Sequence, residues 1–330
     1  MNFGDIKRKI WLSIISGIII LVGISIFSDA KALIGTLADF NYGLLPIILL
    51  LAPLNYIFRY LKWHYYLRLI GVNVDFKENI IIFFSGFSMT ITPGKLGELL
   101  KTYMLKQKYN IPISVTAPLV FGERLTDAIS MLILSCIGFT VFNYGLNVII
   151  IFMIIIIIGI MVVQNKELCL SLIALLRKIP LMKNKSELLY NFYNSTYVLF
   201  KWNNLIIAVL IGVISWGFEG YVVYYTLMAM GYHISALASI FVVSFSSIIG
   251  AVSMLPGGLL ATEGSLIGIL IIMNIPKTAA VGATIVTRFS TLWLGVIIGI
   301  IFLFIAGKMG LLGEKNQTMK RACGIDEELD

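Results

Sequence analysis

The chain has 330 residues, of which 59% are hydrophobic and only 13% are Asp, Glu, Lys or Arg, and its mean hydropathy is +0.95. Ordinary soluble domains carry about 25% charged residues, so a water-soluble globule is excluded. A net charge of +8 and a pI near 9.3 would point to nucleic acid in a soluble chain; here positive-inside bias alone accounts for the surplus, and no nucleic-acid partner is expected.

In chain order, apolar windows fall at 10–27, 42–61, 79–92, 113–142, 145–164, 204–228, 235–255, 259–274 and 278–306. Residues 128–165 contain no charge, and residues 220–262 have only His233 as a titratable group. Such runs far exceed the roughly 20 apolar residues that cross a bilayer. A transmembrane barrel would need short alternating segments, and 149–160 shows no alternation. The fold class is therefore an all-α polytopic membrane bundle. The first window follows Lys7, Arg8 and Lys9 and lacks a small-x-small cleavage site, so it reads as a membrane helix and not a signal peptide.

Two windows do not fit simple spans. Residues 80–92 stop at Pro93-Gly94, and the following 95–108 carry four lysines. Residues 236–255 are broken by Pro256-Gly257-Gly258, followed by a shorter stretch that contains Glu263. Both read as re-entrant hairpins, which leaves about six full spans.

With the N-terminus inside, 21 of the 25 Lys and Arg fall on the inner side, including those of 166–201 and of the tail. Both termini are thus expected in the cytoplasm, in the plasma membrane of a prokaryote. Residues 166–201 read as a cytoplasmic amphipathic segment with Leu168, Leu172, Leu175 and Leu176 at helical spacing. The chain 1–330 is expected to be one membrane domain. Its first half covers 10–142, its second half 204–307, and 308–330 form a polar cytoplasmic tail.

An internal repeat links the halves, 79–142 with 235–306. Thr92-Pro93-Gly94-Lys95-Leu96, Ile111-Pro112 and Arg124-Leu125-Thr126-Asp127 are echoed by Leu255-Pro256-Gly257-Gly258-Leu259, Ile275-Pro276 and Arg288-Phe289-Ser290-Thr291. One inserted residue aligns them, and each copy has a glutamate after its Pro-Gly, Glu98 and Glu263. By the charge count the copies have opposite orientation, the pattern of an inverted-topology repeat that forms a site near the midplane. Packed kinks are the plainer alternative.

Ionisable residues at membrane depth face cavities or one another. Lys95, Glu98, Glu123, Arg124, Asp127, Glu219, Glu263 and Arg288 are the candidates for a lipid headgroup site or cavity. Glu123, Arg124 and Asp127 lie within one helical turn, so an internal ion pair is an equal reading. Arg288 has only neutral helix neighbours, so its partner is a distant carboxylate such as Glu263 or Glu219, or an anionic ligand. A guanidinium fork suits phosphate oxygens, which points to an anionic phospholipid or polyprenyl phosphate. Gly264-x-x-x-Gly268 and Gly295-x-x-x-Gly299 permit close helix contact. His64 and His233 stand alone, so no metal is expected; Cys136, Cys169 and Cys323 show no metal or disulfide pattern. No HExxH, GxSxG, Walker or GxGxxG motif occurs, so neither a cofactor nor enzymatic activity is expected.

Three stretches, Pro93-Gly94-Lys95-Leu96-Gly97-Glu98-Leu99-Leu100-Lys101, Glu123-Arg124-Leu125-Thr126-Asp127 and Leu255-Pro256-Gly257-Gly258-Leu259-Leu260-Ala261-Thr262-Glu263-Gly264, carry a resemblance. They resemble the flippase-like transmembrane region of the lysylphosphatidylglycerol synthase family, across roughly residues 10–307. The resemblance implies a bundle that translocates or accommodates an anionic or aminoacylated lipid, with Lys95, Glu98, Glu123, Arg124, Glu263 and Arg288 as the carried-over positions. The family's lipid-aminoacylating members also have a soluble catalytic domain. Here the chain ends 23 residues after Gly307, so lipid synthesis is not expected. The rival reading is an accessory membrane subunit for a separate lipid-modifying or glycosyltransferase enzyme; an intramembrane transferase using Asp127 or Glu263 as base ranks below it.

Overall fold

Segments with no water to bond to must satisfy their backbone internally, and in this computed structural model they do so as helices. The structure describes residues 30–92, 97–139, 146–169, 171 and 186–312. The expected first span 10–27, the break residues Pro93 and Gly94, Lys95, Leu172, Leu175 and Leu176, and the tail beyond Leu312 lie outside the described residues.

The first half contains α1 (Ala30–Ala38), α2 (Leu45–Leu69), α3 (Phe76–Ser85), α4 (Leu100–Tyr109) and α5 (Ile113–Phe139). Next come α6 (Leu146–Gln164) and α7 (Ser186–Leu199). The second half contains α8 (Trp202–Ala229), α9 (Ala236–Val252), α10 (Ala261–Ile272), α11 (Lys277–Arg288) and α12 (Leu294–Lys308). A π-helical turn, Phe289–Trp293, joins α11 to α12.

The halves correspond beyond the stretch in which the repeat is legible, because α2 and α8 end alike. Gly71 at φ +73 and Gly231 at φ +80 take the left-handed conformation that stops each helix. The next amide closes each stop, Val72 onto the Leu67 carbonyl and Tyr232 onto the Leu227 carbonyl, both at 2.9 Å. Asp75 and Ser235 then cap α3 and α9, accepting from Lys77 and Glu78 amides in one case and the Ala238 amide in the other. After each break the second arm ends in Asn-Ile-Pro. Asn110 and Asn274 are both left-handed, at φ 54 and 63, a conformation asparagine tolerates, and Pro112 and Pro276 start the next helix.

Packing between the halves is reciprocal. Helix α5, the last of the first half, lies on α9, the first hairpin arm of the second. Helix α12, the last of the second half, lies on α3 and on the turn Gly86–Met89. At the centre α2 packs along α8. Of the glycine pairs, Gly295 and Gly299 do allow close approach, to the Tyr56 ring and to the backbone of Phe87 and Ser88. Among the described residues Gly264 and Gly268 face open space, with no heavy atom within 4 Å of an added Cβ, so that pair makes no close helix contact there.

Three helices among the described residues are long and apolar enough to cross a membrane: Tyr42–Leu69, Trp202–Ala229 and Lys277–Lys308. Helix α5 has 27 residues but carries Glu123, Arg124 and Asp127. Arms α4 and α10 have 10 and 12 residues, short of the roughly 20 that a bilayer needs. The outward faces are greasy, with Ile154, Ile155 and Ile158 on α6, Leu210 on α8 and Ile301 and Phe304 on α12 all exposed. That is the surface lipid tails solvate.

Candidate functional site

The polar interior of the first half is built around Glu98, at the start of the second hairpin arm and 1% exposed. Three bases converge on it: Arg124 Nη2 at 3.0 Å, Arg59 Nη2 at 3.7 Å and Lys101 Nζ at 3.8 Å. Lys101 also donates to Glu123 Oε2 at 2.5 Å and lies over the Trp63 and Phe83 rings. Lys62 from α2 donates to Asp127 Oδ1 at 2.5 Å, and Arg124 is 3.5 Å from Asp127 Oδ2. A buried charge is tolerated only with partners, and this cluster pairs Arg59, Lys62, Lys101 and Arg124 with Glu98, Glu123 and Asp127.

The second half repeats the Glu–Arg pair in a leaner form. Glu263 sits in the first turn of α10, a favourable place for a carboxylate, and accepts from Arg288 Nε at 2.6 Å. Arg288 Nη2 donates to the Gly257 carbonyl at 3.0 Å, tying the end of α11 to the tip of its own hairpin. That tip is strained: Met254 and Leu260 have positive φ of 53 and 70 without being glycine, and Gly257 stands at φ 62. An added Cβ on Gly257 would lie 3.5 Å from the Ile91 backbone, so the second hairpin tip lies against the end of the first arm of the first hairpin. Ile91, Leu259, Leu292, Trp293 and Val296 seal the junction.

Beside this junction is a cavity of about 530 Å³, lined by charged residues from both halves: Arg59, Arg124 and Asp127 from one, Glu219 and Arg288 from the other, with Gly257 and Gly258 of the break. The rest of the wall is mostly apolar, with Val120, Phe121 and Met131 of α5 and Met254 and Leu255 of the hairpin tip. Phe121, Met254 and Leu255 are exposed on the outer surface as well. Such a volume holds a headgroup and not a whole lipid, and its wall combines charged and apolar side chains.

Of the residues expected at the site, Arg124, Asp127, Glu219, Arg288, Gly257 and Gly258 meet on the cavity wall. Glu98, Glu123 and Glu263 stand behind it as counter-ions, and Pro256 opens the short turn Pro256–Gly258. Arg288 takes Glu263, not Glu219, as its partner. Within the Glu123, Arg124, Asp127 triplet the pairing is mainly with other segments, since Glu123 goes to Lys101 and the shortest contact of Arg124 is Glu98.

The charge count assigns three further bases, Arg59, Lys62 and Lys101, to the inner surface. They are nine-tenths buried or more, and they belong to the site. The available signal was their position: Arg59 and Lys62 face inward from α2, the helix whose partner α8 carries Glu219 at the same distance from its terminal glycine.

Comparison with known proteins fits this architecture. The family model described as the lysylphosphatidylglycerol synthase TM region matches residues 14–299. A UPF0104 membrane protein of Methanocaldococcus jannaschii is 28% identical over 243 residues, 70% of this chain and 99% of that protein. A UPF0104 membrane protein of Pyrococcus horikoshii is 23% identical over 290 residues, 79% of this chain and 86% of that protein.

Proposed function

The chain belongs to the lysylphosphatidylglycerol synthase transmembrane-region family, and from that premise we propose that this membrane protein is a lipid translocator without catalytic activity of its own. The observation that carries the reading is a cavity beside the second hairpin tip, lined by Arg124 and Arg288 of the two halves together with apolar side chains. An anionic, aminoacylated or polyprenyl-phosphate headgroup enters the charged side while its tails remain in the bilayer. The hairpins are re-entrant from opposite faces and gate access to the two sides, as in inverted-repeat transporters. The reciprocal packing of the halves and the short arms α4 and α10 support that arrangement. Both termini face the cytoplasm of a prokaryotic cell, on the positive-inside count.

The test is transbilayer movement of headgroup-labelled anionic phospholipid and polyprenyl phosphate in liposomes containing the purified protein, with Arg288→Gln alongside. Movement by the wild type and its loss in the folded variant support the reading. Absence of movement of either lipid by folded wild-type protein overturns it in favour of an accessory subunit for a separate lipid-modifying enzyme.

A further inference from the structure

We infer that the cavity takes a zwitterionic phospholipid in preference to an anionic one: the phosphodiester engages Arg124 and Arg288, and a primary ammonium on the same headgroup pairs with Glu219. The inference rests on the lipid-translocator reading and deepens it, because it names the headgroup.

Glu219 is the only charged residue in the 28 residues of α8. A carboxylate in an apolar membrane helix is costly and marks a site by default. Glu219 lines the cavity and is only partly buried, so a guest can reach it. Asp127, the other acid on the wall, is covered: its side chain is 3% exposed, with Lys62 at one oxygen and Arg124 at the other. A cationic group entering the cavity therefore meets Glu219.

The two arginines supply the complementary half. Arg124 turns Nη2 to Glu98 and Asp127, whereas Arg288 turns Nε to Glu263 and Nη2 to the Gly257 carbonyl. Among the described residues Nη1 of each makes no hydrogen bond, and neither Nη1 is shut off from the surface. Both side chains keep exposed area, 22% for Arg124 and 12% for Arg288, and both line the cavity. Each can donate one charge-assisted bond to a phosphate oxygen without giving up its partner in the protein.

Charge then selects the guest. Counted with their buried counter-ions, the charged residues of the wall come to five bases and five acids, because Glu219 offsets the surplus base of the Glu98 cluster and Glu263 matches Arg288. An anionic headgroup would bring one uncompensated negative charge into this balanced interior, and a zwitterion brings none. A primary ammonium has N–H donors for the Glu219 carboxylate, and a quaternary one has none. Phe121 and Met254 line the cavity and are also exposed, which favours a lipid ester over the free phosphoamine.

Full-length protein in detergent is titrated calorimetrically with the dihexanoyl forms of phosphatidylethanolamine, phosphatidylcholine and phosphatidylglycerol, and with free phosphoethanolamine. Wild type should bind the ethanolamine lipid about 10-fold more tightly than the glycerol lipid, the worth of one charge-assisted contact. The choline lipid should fall about 5-fold below the ethanolamine lipid. A folded Glu219→Gln protein, checked by elution and thermal melting, should bind the ethanolamine lipid about 10-fold more weakly and the glycerol lipid within about 3-fold of wild type. Glycerol lipid bound by wild type as tightly as ethanolamine lipid overturns the inference and leaves the translocator reading standing, and that comparison needs no variant. An ethanolamine preference that survives Glu219→Gln overturns the role of Glu219. Choline lipid bound as tightly as ethanolamine lipid overturns the primary-ammonium contact. Free phosphoethanolamine bound as tightly as its lipid overturns the lipid as the source of the headgroup. No binding of any of the three lipids by folded wild type overturns the inference and the translocator reading together.

Discussion

Asn55 of α2 and Ser215 of α8 exchange hydrogen bonds: Asn55 Nδ2 donates to the Ser215 carbonyl at 2.9 Å, and Ser215 Oγ donates to the Asn55 carbonyl at 3.2 Å. Each residue lies 16 positions before its helix-terminal glycine, Gly71 or Gly231, so they are equivalent places in the two halves. Equivalent positions that touch each other mark the axis relating the halves. One turn further along lie Arg59 and Glu219, again equivalent, now on the cavity wall with opposite charge. The relation that builds the cavity is thus near-symmetric in backbone and unequal in chemistry.

The Asn55–Ser215 exchange predicts a measurable coupling. Interhelical hydrogen bonds in membrane proteins contribute on the order of 0.6 kcal/mol and reach about 1.7 kcal/mol. Both Asn55 and Ser215 are fully buried, which puts this pair toward the upper figure. Asn55→Ala and Ser215→Ala should each lower the unfolding free energy in detergent by about 1 kcal/mol, and the double variant should lose less than the sum. Additive losses would mean that the two helices do not depend on the exchange.

Much of this arrangement was legible in the sequence, for identifiable reasons. Breaks announce themselves through Pro-Gly, and a charge in an apolar helix stands out, so Arg124, Arg288 and the glutamates after each break were visible. Arg59, Lys62 and Lys101 were not, because a base near the end of an apolar window looks like a positive-inside charge; only the fold shows that Lys101 is sandwiched between Glu123 and the Trp63 ring. The extension of the repeat into α2 and α8 was also hidden. Its signature is conformational, a left-handed glycine followed four residues later by a cap, and Gly71 with Asp75 shares little else with Gly231 and Ser235. Glycine spacing misled in one instance, since Gly264-x-x-x-Gly268 has the pattern of a packing face and makes none among the described residues.

That contrast between glycine pairs is itself testable. An added Cβ at Gly299 would overlap the backbone of Phe87 and Ser88, which cannot yield as a flexible side chain can. Gly299→Ala should cost about 1–3 kcal/mol of stability and push the first hairpin off α12. Gly268→Ala meets nothing and should be neutral or stabilising by up to about 1 kcal/mol, through helix propensity alone. Thermal melting of the two variants in one detergent gives the comparison, and equal effects would place α12 differently against the first hairpin.

At the polar end of the first hairpin, Tyr109 donates to Glu78 Oε2 at 2.6 Å and accepts from the Asp75 amide at 3.1 Å. Burial, and then the bond to the Glu78 carboxylate, push its hydroxyl up to about 12 from an ordinary 10.0. A raised value in the folded state means stability that is fully present below pH 10 and disappears as pH climbs through 12. Wild type should therefore melt above Tyr109→Phe at neutral pH, with the gap closing only between those two values. A gap that closes at neutral or acid pH would show that the hydroxyl does not anchor this corner.

Glu98 should be the most sensitive single position in the protein, for electrostatic reasons. It is the one carboxylate approached by Arg59, Lys101 and Arg124 together, and it is almost wholly buried. Glu98→Gln leaves four bases facing two acids, Glu123 and Asp127, in a medium that penalises unpaired charge. Breaking a buried pair in this way costs about 3–5 kcal/mol, enough to unfold many proteins outright. The diagnostic is the second substitution. Adding Arg59→Met to Glu98→Gln removes one stranded cation and should recover part of the loss, whereas adding Arg288→Met, in the other half's pair with Glu263, should deepen it by stranding Glu263. Unfolding free energies for the two double variants separate a charge-balanced cluster from a set of independent contacts, because independent contacts would make both double variants worse.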